Sequence, residues 1–126
     1  VTLGGHVIVE DNAVLGGLCA VHQFCRIGSL AMIGGLSAVH NDVVPYGLVL
    51  GNRAKLEGVN LIGLKRASYS SEKIKEFSKT INAIFSSNSI ESKSLEFKDS
   101  TNELVIKLCA FIEGESKRGL CPYAKK

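Results

Sequence analysis

Stepping by six from Leu3 through the first forty residues meets Leu3, Val9, Leu15, Val21, Ile27, Ile33 and Val39, all branched aliphatics. Four residues after each of the first six stand Val7, Ala13, Cys19, Cys25, Ala31 and Ser37, mostly small. One residue after each aliphatic stand Gly4, Glu10, Gly16, His22, Gly28, Gly34 and His40. A period of six fits neither an α-helix nor an alternating strand. It fits a chain that turns a corner every six residues, so that three edges close an 18-residue coil. The aliphatic side chain points inward on each edge, the small residue fills the corner, and glycine is expected to supply turn conformations. Stacked coils pair as parallel strands ~4.8 Å apart, which predicts a parallel β-helix. His22 and His40 are 18 residues apart and are predicted to stack on one outer face, ~5 Å from each other.

The repeat fails at "NDVVPYG", where Pro45 cannot donate to a ladder, so the coil is expected to stop near residue 47. Residues 48–66 read as a glycine-punctuated connector with short strands. A helical pattern follows. Ile74, Phe77, Ile81 and Ile84 share a helix face in 68–85, with Ser70 or Ser71 as cap and Glu72 in the first turn. Residues 89–98 suit a short amphipathic helix. In 100–119, Leu104, Val105, Leu108, Phe111 and Ile112 form a stripe, Ser100 and Glu103 suggest a capping box, and Gly119 a stop.

Charge and glycine divide the 126 residues at the same place. Residues 1–50 hold one base and three acids, net −2, and residues 51–126 hold fourteen bases and nine acids, net +5. Eleven of thirteen glycines lie at or before Gly63. Two regions with different physics are implied. No apolar run approaches the ~18 residues of a membrane span, and no basic-then-apolar signal opens the chain, so a soluble cytoplasmic protein is expected. The four cysteines lack C-x-x-C spacing and read as reduced packing residues. His22 and His40 are too few for a metal site, and no nucleic-acid motif accompanies the weak positive charge.

"GGHVIVEDNAVLGG", "AVHQFCRIG", Val44-Pro45-Tyr46-Gly47, "GN" at 51–52, "GVNLIGLKR" at 58–66 and "RGL" at 118–120 resemble the acyl-[acyl-carrier-protein]–UDP-N-acetylglucosamine O-acyltransferases. These enzymes begin lipid A synthesis. The resemblance covers essentially the whole chain, and "AVHQF" with "GVNLIGLKR" separates it from other hexapeptide transferases.

The resemblance implies a fold of a left-handed parallel β-helix, about two coils in residues 1–47, an exception to the usual crossover hand. It implies a connector, 48–66, with a nucleotide-binding segment, and a small α-helical C-terminal domain, 67–126. It implies a homotrimer with sites between subunits. In the reaction a histidine base would activate the sugar 3-hydroxyl toward the thioester of a 3-hydroxyacyl carrier protein, and a backbone amide would hold the oxyanion. No separate cofactor is implied, because phosphopantetheine arrives on the carrier protein. Matched positions make Gly5 the oxyanion amide. His6, His22, Gln23, Asn60 and Arg66 become substrate contacts, and Gly35 and Arg53 line the acyl groove.

The chain also departs from the family pattern. Arg53 replaces an expected histidine, Ile62 an acidic residue and Ala67 a second arginine. The family's catalytic histidine belongs to an "AHDC"-like stretch about one coil before His6, which these 126 residues do not contain. The expected assignment is therefore the C-terminal half of such an enzyme without its general base. Two alternatives stand beside it: a non-catalytic binding or assembly module, and another hexapeptide transferase using acetyl-CoA. The basic residues of 65–118 are expected to help dock the acidic carrier protein.

Overall fold

The structure, a computed structural model, describes residues 1–125. Seven two-residue strands come first: β1 (Thr2–Leu3), β2 (Ile8–Val9), β3 (Val14–Leu15), β4 (Ala20–Val21), β5 (Arg26–Ile27), β6 (Met32–Ile33) and β7 (Ala38–Val39). They stack in three parallel ladders. Thr2 pairs with Ala20 and Ala20 with Ala38 on the first wall, Ile8 with Arg26 on the second, and Val14 with Met32 on the third. Each register step is the predicted 18. The inward aliphatics of the second coil are sealed: Val21 is 3% exposed, and Ile27 and Ile33 are 0%. The equivalent residues of the first coil face the open mouth of the prism, with Leu3 48% and Val9 41% exposed.

The glycines do not do what the sequence suggested. One residue in six lies in the left-handed region, but it is His6, Asn12, Leu18, Phe24, Leu30 and Leu36, with φ between 54° and 67°. Their column is tied by backbone bonds between coils: the Phe24, Leu30 and Leu36 amides donate to the Gly5, Asp11 and Gly17 carbonyls. Gly4, Gly16 and Gly28 instead mark where stacked backbones touch. A Cβ on Gly16 would lie 2.5 Å from Gly35 N, and one on Gly28 would lie 2.4 Å from Pro45 N.

The coil does not stop at "NDVVPYG". It loses two residues there and continues. Val43 pairs with Ile27, and Leu48 of β8 (Gly47–Leu50) pairs with Met32, both at a step of 16. Pro45 sits in the turn between them, where no ladder donor is needed. β8 then turns back into β9 (Lys55–Val59), an antiparallel neighbour. The remainder of the expected connector is a short helix, α1 (Leu61–Arg66).

Three further helices follow: α2 (Ser71–Phe85), α3 (Ile90–Leu95) and α4 (Glu103–Glu113). The apolar stripes read from the sequence are their buried faces, joined to the coil in one core through Tyr46, which meets Phe77 edge-on at 5.4 Å. Ser70 caps α2 by accepting from Lys73 N. The capping box expected at Ser100 and Glu103 is absent. Asn102 caps α4, because its amide serves two helices: Oδ1 accepts from Leu104 N, while Nδ2 donates to Lys73 O and Glu76 Oε1. A serine at that place could not make all three bonds. The helix ends at Gly114, five residues before the expected Gly119, and Gly119 takes a positive φ in the tail beyond.

That tail closes the bottom of the coil. Asp42 N donates to Gly119 O, Cys121 N to Asp42 O, Leu56 N to Pro122 O and Ala124 N to Leu56 O. No helix among the described residues is long and apolar enough to cross a membrane.

Candidate functional site

The corner between the first and second walls carries residues 4–6, 22–24 and 40–41 in successive coils, so an 18-residue register brings Gly5, His6, His22 and Gln23 together. His22 and His40 stack with centroids 5.3 Å apart at 34°, as the spacing predicts. His6 lies flat against Phe24, centroids 5.1 Å apart and planes 4° apart. Lys117 Nζ stands 4.6 Å from the centre of the same phenyl ring, within cation–π range. Phe24 and Lys117 were not among the expected site residues. Phe24 was legible, being 18 positions from His6. Lys117 was not, because only the tertiary fold returns the tail to this corner. The Gly5 carbonyl is used by Phe24 N, while its own amide donates to no partner among the described residues and its Cβ position faces open space. An amide so placed can donate to an incoming oxyanion.

A strap fixes this corner from behind. Asp42, fully buried, accepts from Arg26 N and Arg26 Nε at 2.9 Å each and from Ser116 Oγ at 2.5 Å. Arg26 Nη1 donates to Phe111 O, and its guanidinium lies 4.0 Å from the Phe111 ring centre. Arg118 Nε donates to His40 O, and Asn41 Nδ2 returns a bond to Arg118 O. Segment 114–118, which carries Lys117, is thereby held against the coil.

Asn60 and Arg66 lie elsewhere. With Val14, Met32, Leu48, Leu61 and Ile62 they line a largely apolar cleft of about 580 Å³ on the third wall. Asn60 has a structural role there: its Oδ1 caps α1 through Gly63 N, and its Nδ2 donates to Leu30 O. Arg66 is exposed in the last turn. Gly35 sits on the corner between the third and first walls, where a Cβ would press to 3.2 Å from Gly17 O. Arg53, in the β8–β9 turn, lines a cleft with His40 and Lys55 below the histidine corner. One chain therefore carries two separated groups of expected site residues. The histidine corner faces one way and the Asn60–Arg66 cleft another.

All four cysteines are buried and unpaired. Burial pushes the Cys121 thiol up to about 12, and burial followed by the Asp42 charge raises Cys25. Unfolded thiols ionise near 9, so both contributions are fully present below pH 9; that of Cys121 is lost as pH rises toward 12, and that of Cys25 is likewise lost as pH rises above 9. The denaturant midpoint should fall above pH 9, by at most ~1.4 kcal/mol per pH unit per thiol. A Cys25→Ala/Cys121→Ala variant should fall less steeply; an unchanged slope would show that the thiols are not responsible. No group of three or more His, Cys, Asp or Glu that could hold a metal occurs among the described residues.

The family model described as UDP N-acetylglucosamine O-acyltransferase, domain 2, matches residues 42–121. The acyl-[acyl-carrier-protein]–UDP-N-acetylglucosamine O-acyltransferase of Nautilia profundicola is 46% identical over 99% of this chain and 48% of its own length. That of Sinorhizobium fredii is 42% identical over 95% of this chain and 46% of its own. The solved Arabidopsis UDP-N-acetylglucosamine acyltransferase superposes with a TM-score of 0.85 at 39% identity, covering 93% of this chain and 45% of that one. The chain thus spans about half the length of the relatives it matches. A match over most of the chain to the family model, with two-fifths identity to such relatives, places this chain in the UDP-N-acetylglucosamine O-acyltransferase family.

Proposed function

We propose that this chain is the C-terminal half of an enzyme that moves a 3-hydroxyacyl group from acyl carrier protein to the 3-hydroxyl of UDP-N-acetylglucosamine, the first step of lipid A synthesis. The coil is read as left-handed and the working unit as a cytoplasmic homotrimer. The observation that carries the reading is the division of one chain into two incomplete half-sites. The histidine corner holds a free amide and imidazoles suited to a reacting carbonyl and hydroxyl. The third-wall cleft holds a guanidinium beside apolar walls, suited to a diphosphate and the groups joined to it. Two such halves from neighbouring subunits make one site, and the exposed Val14 and Ile62 give that contact an apolar surface.

Within the site, Gly5 N–H is assigned to the developing oxyanion. His6, His22 and Gln23 are assigned to positioning the sugar and the thioester. Arg66 and Asn60 are assigned to the nucleotide, Asn60 by shaping the α1 turn. Gly35 and Arg53 are assigned to the acyl path. Phosphopantetheine enters with the carrier protein and no resident cofactor is needed. The general base is assigned to the upstream stretch that the family shares and that these residues do not contain.

The purified 126-residue chain should give no acyl transfer. Joined to the N-terminal half of the Nautilia relative, it should turn over 3-hydroxyacyl carrier protein, and His22→Ala should lower kcat/KM about tenfold or more. A fusion insensitive to both His22→Ala and Arg66→Ala would overturn the assignment. Equal use of acetyl-CoA would favour the alternative transferase. Turnover by the isolated chain that His6→Ala abolishes would place the base at His6.

A further inference from the structure

The "RGL" motif at 118–120 and the lysine before it belong to neither half-site, yet the tail that carries them reaches the histidine corner. His6 and His22, the imidazoles assigned to substrate there, are exposed side chains. An exposed imidazole left alone samples several rotamers, and holding it still for reaction costs conformational entropy. Each of the two is backed by a half-buried ring. Phe24 lies against His6 with planes 4° apart, and His40 lies against His22 at 34°.

Each backing residue is in turn touched by the tail, at neighbouring positions. Lys117 Nζ stands 4.6 Å from the centre of the Phe24 ring, and Arg118 Nε donates to His40 O at 3.1 Å. Among the described residues neither cation forms an ion pair. The tail is itself anchored on both sides of Lys117. Ser116 Oγ donates to Asp42 Oδ2, and the Arg118 carbonyl accepts from Asn41 Nδ2. Phe24 is also tied to the residue before His6, since its amide donates to Gly5 O. We propose that Lys117 and Arg118 are positioning residues for the transfer reaction, holding the His6 and His22 imidazoles in place through Phe24 and His40. The kinetic consequence rests on the proposed activity; the bracing of the imidazoles does not.

Lys117 also belongs to the basic 65–118 stretch expected to steer the carrier protein, and kinetics separates the two roles. Loss of steering raises KM for the carrier protein in a salt-dependent way. Loss of alignment lowers kcat. In the fusion with the Nautilia N-terminal half, Lys117→Met should lower kcat about two- to fivefold, the worth of one exposed cation–π contact, with KM unchanged. Lys117→Arg keeps a cation at the ring and should restore kcat. The three histidines of the chain all stand in this corner, so carbon–proton spectra of the histidine-labelled 126-residue chain read the alignment without turnover. Lys117→Met should move the His6 ring signals, which the Phe24 ring current displaces, toward the free-histidine position. Arg118→Met should move those of His40 and His22 and leave His6 in place. Lys117 is exposed, so its variants should stay folded; where Arg118→Met does not, the Lys117 pair decides. Histidine signals indifferent to these substitutions would overturn the brace. So would a Lys117→Met fusion in which KM for the carrier protein rises while kcat stays. A fusion without any turnover counts against the proposed activity, and the histidine signals then decide the brace by themselves.

Discussion

Asp42→Ala should be among the most damaging single side-chain removals in this protein, lowering stability by about 3–5 kcal/mol. Asp42 is fully buried and is the anionic partner of Arg26, whose side chain is only 16% exposed. The pair's net worth is small beside an apolar substitute. The cost comes from leaving a guanidinium buried with its charge uncompensated. The geometry makes this harder to relieve. Arg26 Nη2 is already buried without a hydrogen-bond partner, so the guanidinium has no slack to absorb a second loss. Ser116 would lose its acceptor at the same time, and segment 114–118 would lose its tie to the coil. With total stabilities of 5–15 kcal/mol typical of such domains, this shift should be plain in a urea midpoint. Arg26→Met/Asp42→Leu should recover much of the loss, because it removes both charges. A midpoint shift under ~1 kcal/mol for Asp42→Ala would show that water reaches Arg26 freely.

The second large effect is expected at Gly16, and its neighbour supplies the control. A methyl at Gly16 would lie 2.5 Å from Gly35 N and 2.8 Å from Ile33 O, both backbone atoms of the coil below. Gly16 N itself donates to that Ile33 oxygen at 2.8 Å. The methyl therefore cannot be accommodated by a side-chain rotation; the ladder bond must stretch. Gly16→Ala should cost about 3 kcal/mol, the upper part of the range for overpacking. At Gly17, one residue on, a methyl meets nothing within 4 Å and φ is not positive. Gly17→Ala should be neutral, or stabilise by about 0.4–1 kcal/mol through the unfolded chain. Thermal unfolding of the two variants side by side decides the matter. Equal effects would mean that coil spacing is soft enough to admit a methyl.

These contrasts also show what could be read from residues alone. The period of six, the 18-residue register and the His22–His40 stack were legible, because inward packing allows only aliphatics at one position in six. The conformational origin of the corners was not. Left-handed φ is carried by His6, Leu18 or Phe24, residues for which it costs about 1–2 kcal/mol each. The inter-coil bonds that hold them there are invisible in a sequence. The two-residue shortening at Asp42 was missed because it looks like the end of a repeat. It is a tighter corner, made where a buried carboxylate takes the place of chain. The helix stripes were legible from periodicity, but the cap at Asn102 was decided by bonds to a different helix. Among the site residues, the corner group was recoverable from register. The separation of Asn60 and Arg66 onto another wall was not, because it depends on how β9 folds back.

The tail from Gly119 to Ala124 supplies the last partners for Asp42 and Leu56. A ribosome delivers the coil before this tail. While the helices are being made, the newest rung of the coil presents free amides and carbonyls to any passing strand, its own copies included. Premature termination anywhere in the helical region would therefore release a chain with an adhesive lower edge, which makes aggregation the expected fate of such products.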